Sequence, residues 1–473
     1  ILQSLQAMKF NYPSLDKVYF EFKSFKNEKI NSIIQILFFL PFILIMLFNR
    51  SFIGLYILGF RLGELLTAIG FVIAVIYFLL PKKYLKDLYF NDLQFYSLKL
   101  IFLSFIIVGL FTEANFASTY TYKSSSYIWT TFFLFLGLIT NFNTYINLNH
   151  IYKVFLAVPF FTYLFSSGNY PNFIIDFFRE NSDKFQFLKP SDVFIGYASI
   201  NFLNKYYIKS QNRRFLYFLI TSGLMLPLFL YGSRGSFLGV VIYMVFEIVY
   251  SRRYIYNNKL RVGIYILIAL LFFSFSALRI DRSELNRPTF DALVAVVDPG
   301  AVSDSITSLA DEKDTVRVIF SFYMHYGRLE STDPTANWRL DIWQDVVFDM
   351  FEDGLVFSGY GYNEIFPQML DPTAPGRLGR DGMNEHVHNY FVNIFARGGV
   401  LQLFLFFAFH LGLIMYWKNE NHNYQILMYI IPSIVVSLLD ITLEGVQFPL
   451  IYYFFLYYFL KNATKVKVIE LYG

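Results

Sequence analysis

The sequence predicts an all-α polytopic membrane protein of about twelve transmembrane helices with one large external loop domain, itself mostly helical. Three observations predict it. Of the 473 residues, 56% are hydrophobic and only 16% charged, where a soluble globular chain has about a quarter charged. Many apolar runs approach or exceed the roughly 18–20 residues that cross a hydrocarbon core. The stretch 279–388 is far more polar than what flanks it. The chain thus divides into an N-terminal bundle at 1–278, a loop domain at 279–388 and a C-terminal bundle at 389–473, with about nine spans before the loop and about three after it.

In chain order, a polar leader with five lysines covers 1–32. The first apolar run starts near residue 33 and reads as a retained span, not as a cleavable signal. Spans are expected at 33–49, 62–80, 95–112, 127–147, 151–166, 194–208, 215–231, 235–250 and 263–278, then at 399–417, 425–439 and 446–460. The segment SFIGLYILGFR at 51–61 is too short to cross and is expected along the interface. Counting Lys and Arg in alternate loops gives 21 on the side of the N-terminus and seven in the short segments opposite. That asymmetry places both termini inside the cell and 279–388 outside. There is no cysteine, which excludes disulfides and thiolate metal sites.

The external loop carries 19 acidic and nine basic residues, which excludes a nucleic-acid surface. Eight of the nine bases are Arg, and guanidinium holds phosphate bidentately where ammonium is a point charge. Within the loop, WRLDIWQDVVFDMFED at 338–353 has helical spacing with Gly354 as its stop. A glycine turn follows at Gly359 and Gly361, and DPTAPGRLGRDGMN at 371–384 reads as a mobile surface loop or lid.

The candidate site residues lie where polar loops meet spans. His386 and His388 are two apart, so they diverge on either a strand or a helix. An imidazole suits a general base that deprotonates a sugar hydroxyl, and Asn389 beside it could orient one. Arg234 sits in LYGSRGSFLG between two spans, where an unpaired cation is costly. There Gly232 and Gly235 would let a phosphate approach the backbone and the opening amides of the next helix. Arg339, one turn before Trp343, would clamp a phosphate or brace a carboxylate. Arg279, Arg282 and Arg397 stand near headgroup level, and Glu444 in DITLEG could pair an arginine across the cavity. An interfacial role accounts for each of these residues taken alone. No DxD pair or metal-type His spacing is present, so neither metal nor cofactor is expected.

Taken in order, these pieces resemble the O-antigen polymerase and O-antigen ligase superfamily of bacterial membrane glycosyltransferases. The matching elements are Ser233-Arg234-Gly235 between two spans, Arg339 with Trp343, the turn SGYGYNEIF, and His386, His388 and Asn389 followed by Gly398 and Gly399. Together they cover roughly 220–420. The sequence departs from the pattern at Arg397, where a neutral or acidic residue would stand. The resemblance implies metal-independent glycan transfer at the periplasmic face of the inner membrane, in O-antigen or lipopolysaccharide biosynthesis. Donor and acceptor would be undecaprenyl-diphosphate-linked oligosaccharides, with a chain-length regulator protein as a further possible partner. His388 would be the base, while Arg234 and Arg339 would hold the diphosphate with help from Arg279, Arg282 or Arg397. A repeat-unit polymerase is the favoured reading. The alternative is a ligase attaching finished glycan to lipid A core or protein, and a lipid-linked sugar transporter fits less well because polar residues concentrate in one external loop.

Overall fold

The computed structural model describes residues 28–138, 148–166, 170–184, 189–282, 322–371, 374, 377, 386–440 and 442–461. The described chain is mostly helical and the described parts of the expected spans fall on helices, residues 139–147 of the span expected at 127–147 lying outside them; five helices among the described residues are long and apolar enough to cross a membrane. These are α2 (Leu62–Leu79), α3 (Asp92–Phe111), α9 (Gln211–Gly232), α12 (Lys259–Arg282) and α15 (Tyr390–Asn421).

The other expected spans are shorter, bent or polar. They are α1 (Glu28–Ile53), α5 (Ser126–Thr131) running into a 3-10 turn at Phe132–Leu138, α6 (Leu148–Ser166), α8 (Pro190–Tyr207), α10 (Arg234–Tyr250), α16 (Leu427–Leu439) and α17 (Gln447–Lys461). Helix α1 bends at Asn49, whose φ is 47°. Short helices α4 (Thr119–Ser124), α7 (Asn172–Asn181) and α11 (Arg252–Asn257) connect them.

Helix α17 is the central post. Its sequence QFPLIYYFFLYYFLK is apolar on every side, and residues 447–460 are all buried, as expected of a helix surrounded by protein. It packs against the 3-10 turn, α8 and α1, while α3 pairs with α15, α9 with α12 and α10 with α16. Helix α12 lies at the rim, with Leu260, Leu267, Leu270, Leu271 and Leu278 more than half exposed. A helix this apolar and this uncovered faces lipid.

The segment 51–61, expected along the interface, contains no spanning helix. It turns through an antiparallel hairpin, β1 (Tyr56–Ile57) with β2 (Phe60–Arg61), with Leu58 95% exposed at its tip. The loop domain also contains more than helix. Strands β3 (Phe322–His325) and β4 (Arg328–Ser331) form a second hairpin. It packs on α13 (Pro334–Glu352), which is followed by α14 (Pro367–Leu370). Asp333 caps α13 and Pro334 opens it, the arrangement a helix start favours.

The apolar face of α13 (Trp338, Ile342, Val346 and Met350) makes a small core with Phe366, Met369, Val387 and Ala396. Most of 371–384 lies outside the described residues, but the described Arg377 does not belong to a free surface loop. Its side chain is fully buried and donates to Asp341 (2.7 Å) and Asp345 (2.6 Å), carboxylates that Arg328 also holds.

Helix α15 breaks at Gly399, with φ 73° and ψ −178°. A Cβ there would stand 2.2 Å from the Phe357 carbonyl oxygen, so only glycine lets the loop 355–361 press into the break. The Val400 amide donates 2.8 Å to the Val356 carbonyl across it. Gly359 on the facing loop has φ 69°, and a Cβ on it would meet the Arg397 carbonyl at 2.5 Å. The glycines of the two motifs are two sides of one contact.

Candidate active site

The SRG turn joins α9 to α10. Ser233 caps α10 with its hydroxyl accepting from the Ser236 amide (3.4 Å), which leaves Arg234 as the first helical residue. Gly235 is not open to a ligand as expected, because a Cβ there would lie 2.8 Å from Leu439 Cβ. Its smallness brings the start of α10 against the end of α16.

Two more elements meet there. Asp333 accepts the Ala336 amide with Oδ1 (2.8 Å) and the Arg234 Nη2 with Oδ2. Five residues into α13, Arg339 donates from Nη1 to the Leu439 carbonyl. Its Nε is buried and has no hydrogen-bond partner among the described residues. Arg234 and Arg339 are close enough to repel, and Asp333 and Asp440 offset that repulsion.

Asp440 follows α16. Its Oδ1 lies 2.5 Å from Lys189 Nζ, and Oδ2 accepts from Ser191 Oγ at 2.7 Å. Burial opposes ionisation of Asp440. Lys189 outweighs that, with the Ser191 hydrogen bond and Arg339 adding to it, and the carboxyl is held below the usual range. The pair is therefore charged, although burial also lowers the proton affinity of Lys189.

His388 completes the group. Its φ of 55° turns the chain into α15, and its ring lies 4.8 Å from the Trp338 ring, tilted by 58°. Trp343 Nε1 donates 2.6 Å to the Val387 carbonyl, fixing this segment to α13. Burial pushes the His388 pKa well below the usual imidazole value. Arg339 adds to the shift and Asp440 opposes it. A neutral imidazole beside the Arg339 guanidinium has a lone pair that can accept a proton.

The remaining candidates divide. The two histidine rings have different neighbours, Glu444 for His386 and Trp338 for His388. His386 Nδ1 lies 3.2 Å from Glu444 Oε2, so Glu444 pairs an imidazole and not the arginine expected. The contact angle makes no hydrogen bond, and both buried carboxylate oxygens of Glu444 lack one among the described residues. Asn389 caps α15, with Oδ1 accepting from Phe391 (3.0 Å) and Val392 (3.1 Å) amides, which leaves that oxygen committed to the helix.

Arg397 is an internal brace. It is 3% exposed, donates from Nη1 to the Gly361 (3.1 Å) and Glu364 (2.6 Å) carbonyls, and lies 3.9 Å over the Phe366 ring. Arg279 lies 5.7 Å over the Tyr163 ring on α6, and the Arg282 side chain lies outside the described residues. Among the described residues no three His, Asp or Glu side chains converge as a metal-holding group.

The sequence reading missed Asp333, Asp440 and Lys189. Asp333-Pro334 is legible as a helix start, and DITLEG as an external turn. Their partners are 99 residues away for Asp333 and 249 for Asp440 with Ser191, so nothing local announces the pairing.

Residues 217–407 match the family model described as O-Antigen ligase, and this supports placing the chain in the O-antigen ligase and polymerase superfamily. The match spans the SRG turn, α13 and the His388 segment. No curated protein matches the chain.

Proposed function

We propose that this chain, as a membrane enzyme of that superfamily, joins lipid-linked oligosaccharides at the external face of the bacterial inner membrane. The observation that carries the reading is that Arg339 has Arg234 on one side and His388 on another, so that three separate elements come together around it. Arg234 and Lys189 belong to segments that the charge count places outside, as do α13 and His388.

The acceptor sugar hydroxyl attacks the anomeric carbon of the donor. A bond forms from that oxygen to carbon as the bond from carbon to the diphosphate oxygen breaks. The hydroxyl proton passes to the neutral His388, and the electron pair leaves with undecaprenyl diphosphate. Arg234 and Arg339 hold that leaving group while its charge grows. Donors fixed in advance beside a low-dielectric membrane stabilise such charge without reorganising.

Polymerisation of repeat units is the first reading. Ligation to lipid A core or protein is the second, favoured by the description of the matched family. The test uses purified protein in nanodiscs with an undecaprenyl-diphosphate-linked oligosaccharide. His388→Ala should abolish transfer, and Arg234→Ala or Arg339→Ala should each lower it by about a hundredfold or more. Wild-type rates in these variants would refute the roles. Deleting the gene separates the two readings: single repeats on the acceptor indicate a polymerase, and long chains stranded on the lipid carrier indicate a ligase.

A further inference from the structure

Asp333 does two things with one carboxylate. Oδ1 caps α13 through the Ala336 amide, and Oδ2 sits on the Arg234 guanidinium. The residue is buried, at 6% exposure, while the Arg234 side chain is 37% exposed. Arg339 is near enough for Asp333 and Arg234 both to act on its charge. A carboxylate with one oxygen on a guanidinium and a second guanidinium nearby supplies there the negative charge and acceptor oxygen that a phosphate would supply. An anion arriving at Arg234 therefore meets a seat already taken.

We propose that Asp333 is a resident anion, which the diphosphate of the donor must displace from Arg234 and which returns to drive the diphosphate product out. The proposal rests on reading Arg234 as a diphosphate ligand. Product release is the step at risk in such a site. Once the sugar has gone, the diphosphate carries more negative charge than it did as an ester, and fixed guanidiniums hold it more tightly. A tethered carboxylate competes at high effective concentration without leaving the protein. Displacement need not unravel α13, because Oδ1 can keep the Ala336 amide and the helix start favours an anion. Arg234 is the part-exposed member and stays solvated when the pair opens, while the buried Asp333 keeps the Ala336 amide as a partner.

The test separates charge from cap. Asp333→Asn and Asp333→Ser both keep a capping oxygen and remove the charge. Undecaprenyl diphosphate is titrated into the full-length wild type and each variant in nanodiscs. Both variants should bind it about tenfold more tightly, the worth of one charge-assisted hydrogen bond. Their ligand-free melting should stay near wild type. In transfer assays KM for the donor and kcat should fall together, because product is retained. Tightening should vanish when Arg234→Ala is added. If the wild type binds and both variants bind equally or more weakly, the competition is overturned while the functional reading stands. If the wild type does not bind undecaprenyl diphosphate, both are overturned.

Discussion

Asp440→Asn should destabilise the folded protein more than any other single charge removal near the site. The carboxylate is 7% exposed and holds Lys189 at 2.5 Å and Ser191 at 2.7 Å. Removing one partner of a buried pair leaves the other charge uncompensated, at a cost of about 3–5 kcal/mol. Lys189 limits the loss by giving up its proton, which burial already weakens. Lys189→Met alone leaves Asp440 charged but with the Ser191 hydroxyl and Arg339 for company, so it should cost less. The double variant removes both charges and should recover most of the loss, since replacing a buried pair by apolar groups is often neutral. The assay is thermal unfolding in nanodiscs, where Asp440→Asn should lower the midpoint by roughly 5–10 °C. A double variant whose loss equals the sum of the two singles would show no coupling and refute the buried pair.

Three further outcomes follow from the same geometry. Gly399→Ala places a methyl 2.2 Å from the Phe357 carbonyl at positive φ; the protein should fail to accumulate, while Gly263→Ala, with open space around it, should express normally. Trp343→Phe deletes the hydrogen bond to the Val387 carbonyl and should cost about 1 kcal/mol in melting, with a larger loss in transfer rate because the His388 segment loosens. Since burial depresses the His388 pKa, the imidazole stays neutral as pH falls through its ordinary value near 6.5, whereas the unfolded chain takes up a proton there. The acidic limb of the pH–rate profile should therefore lie below 6.5 and stability should decline below that pH; an acidic limb at or above 6.5 would contradict the burial.

What the sequence showed of this site depended on whether a residue looked wrong for its place. Arg234 stood out because a cation between two spans is costly, and His388 because an imidazole at a span edge needs a use. Asp333 drew no attention, because an aspartate before a proline is common at a helix start, though one of its oxygens faces Arg234. Arg397 also looked wrong for its place, but its residue type could not reveal that the Gly361 and Glu364 carbonyls occupy it. The helices were legible from apolar runs, and their bends at Asn49 and Gly399 were not. Those bends exist because a partner segment presses there, and no local pattern records the partner. The β3–β4 hairpin was missed for a related reason, since FYMH and RLES are too short to show alternation.

The distribution of charge favours an enzyme working at one face over a carrier. A carrier for a charged, lipid-linked sugar would place exchangeable ionic groups near the middle of opposing spans. Among the described residues, the pair linking the far ends of α8 and α10 is closed: Lys205 Nζ lies 2.8 Å from Glu247, both side chains are about 5% exposed, and Ser251 donates to the same carboxylate. Opening it would strand two charges in the bundle, at several kcal/mol. At the other ends of the same two helices the groups are arranged differently. Arg234 is partly exposed, and among the described residues Arg339 keeps a buried N–H with no hydrogen-bond partner and Glu444 keeps both oxygens without a hydrogen-bond donor. Buried polar groups are ordinarily satisfied, so the open Arg339 N–H near His388 and the open Glu444 carboxylate beside His386 have the character of a surface that a ligand completes.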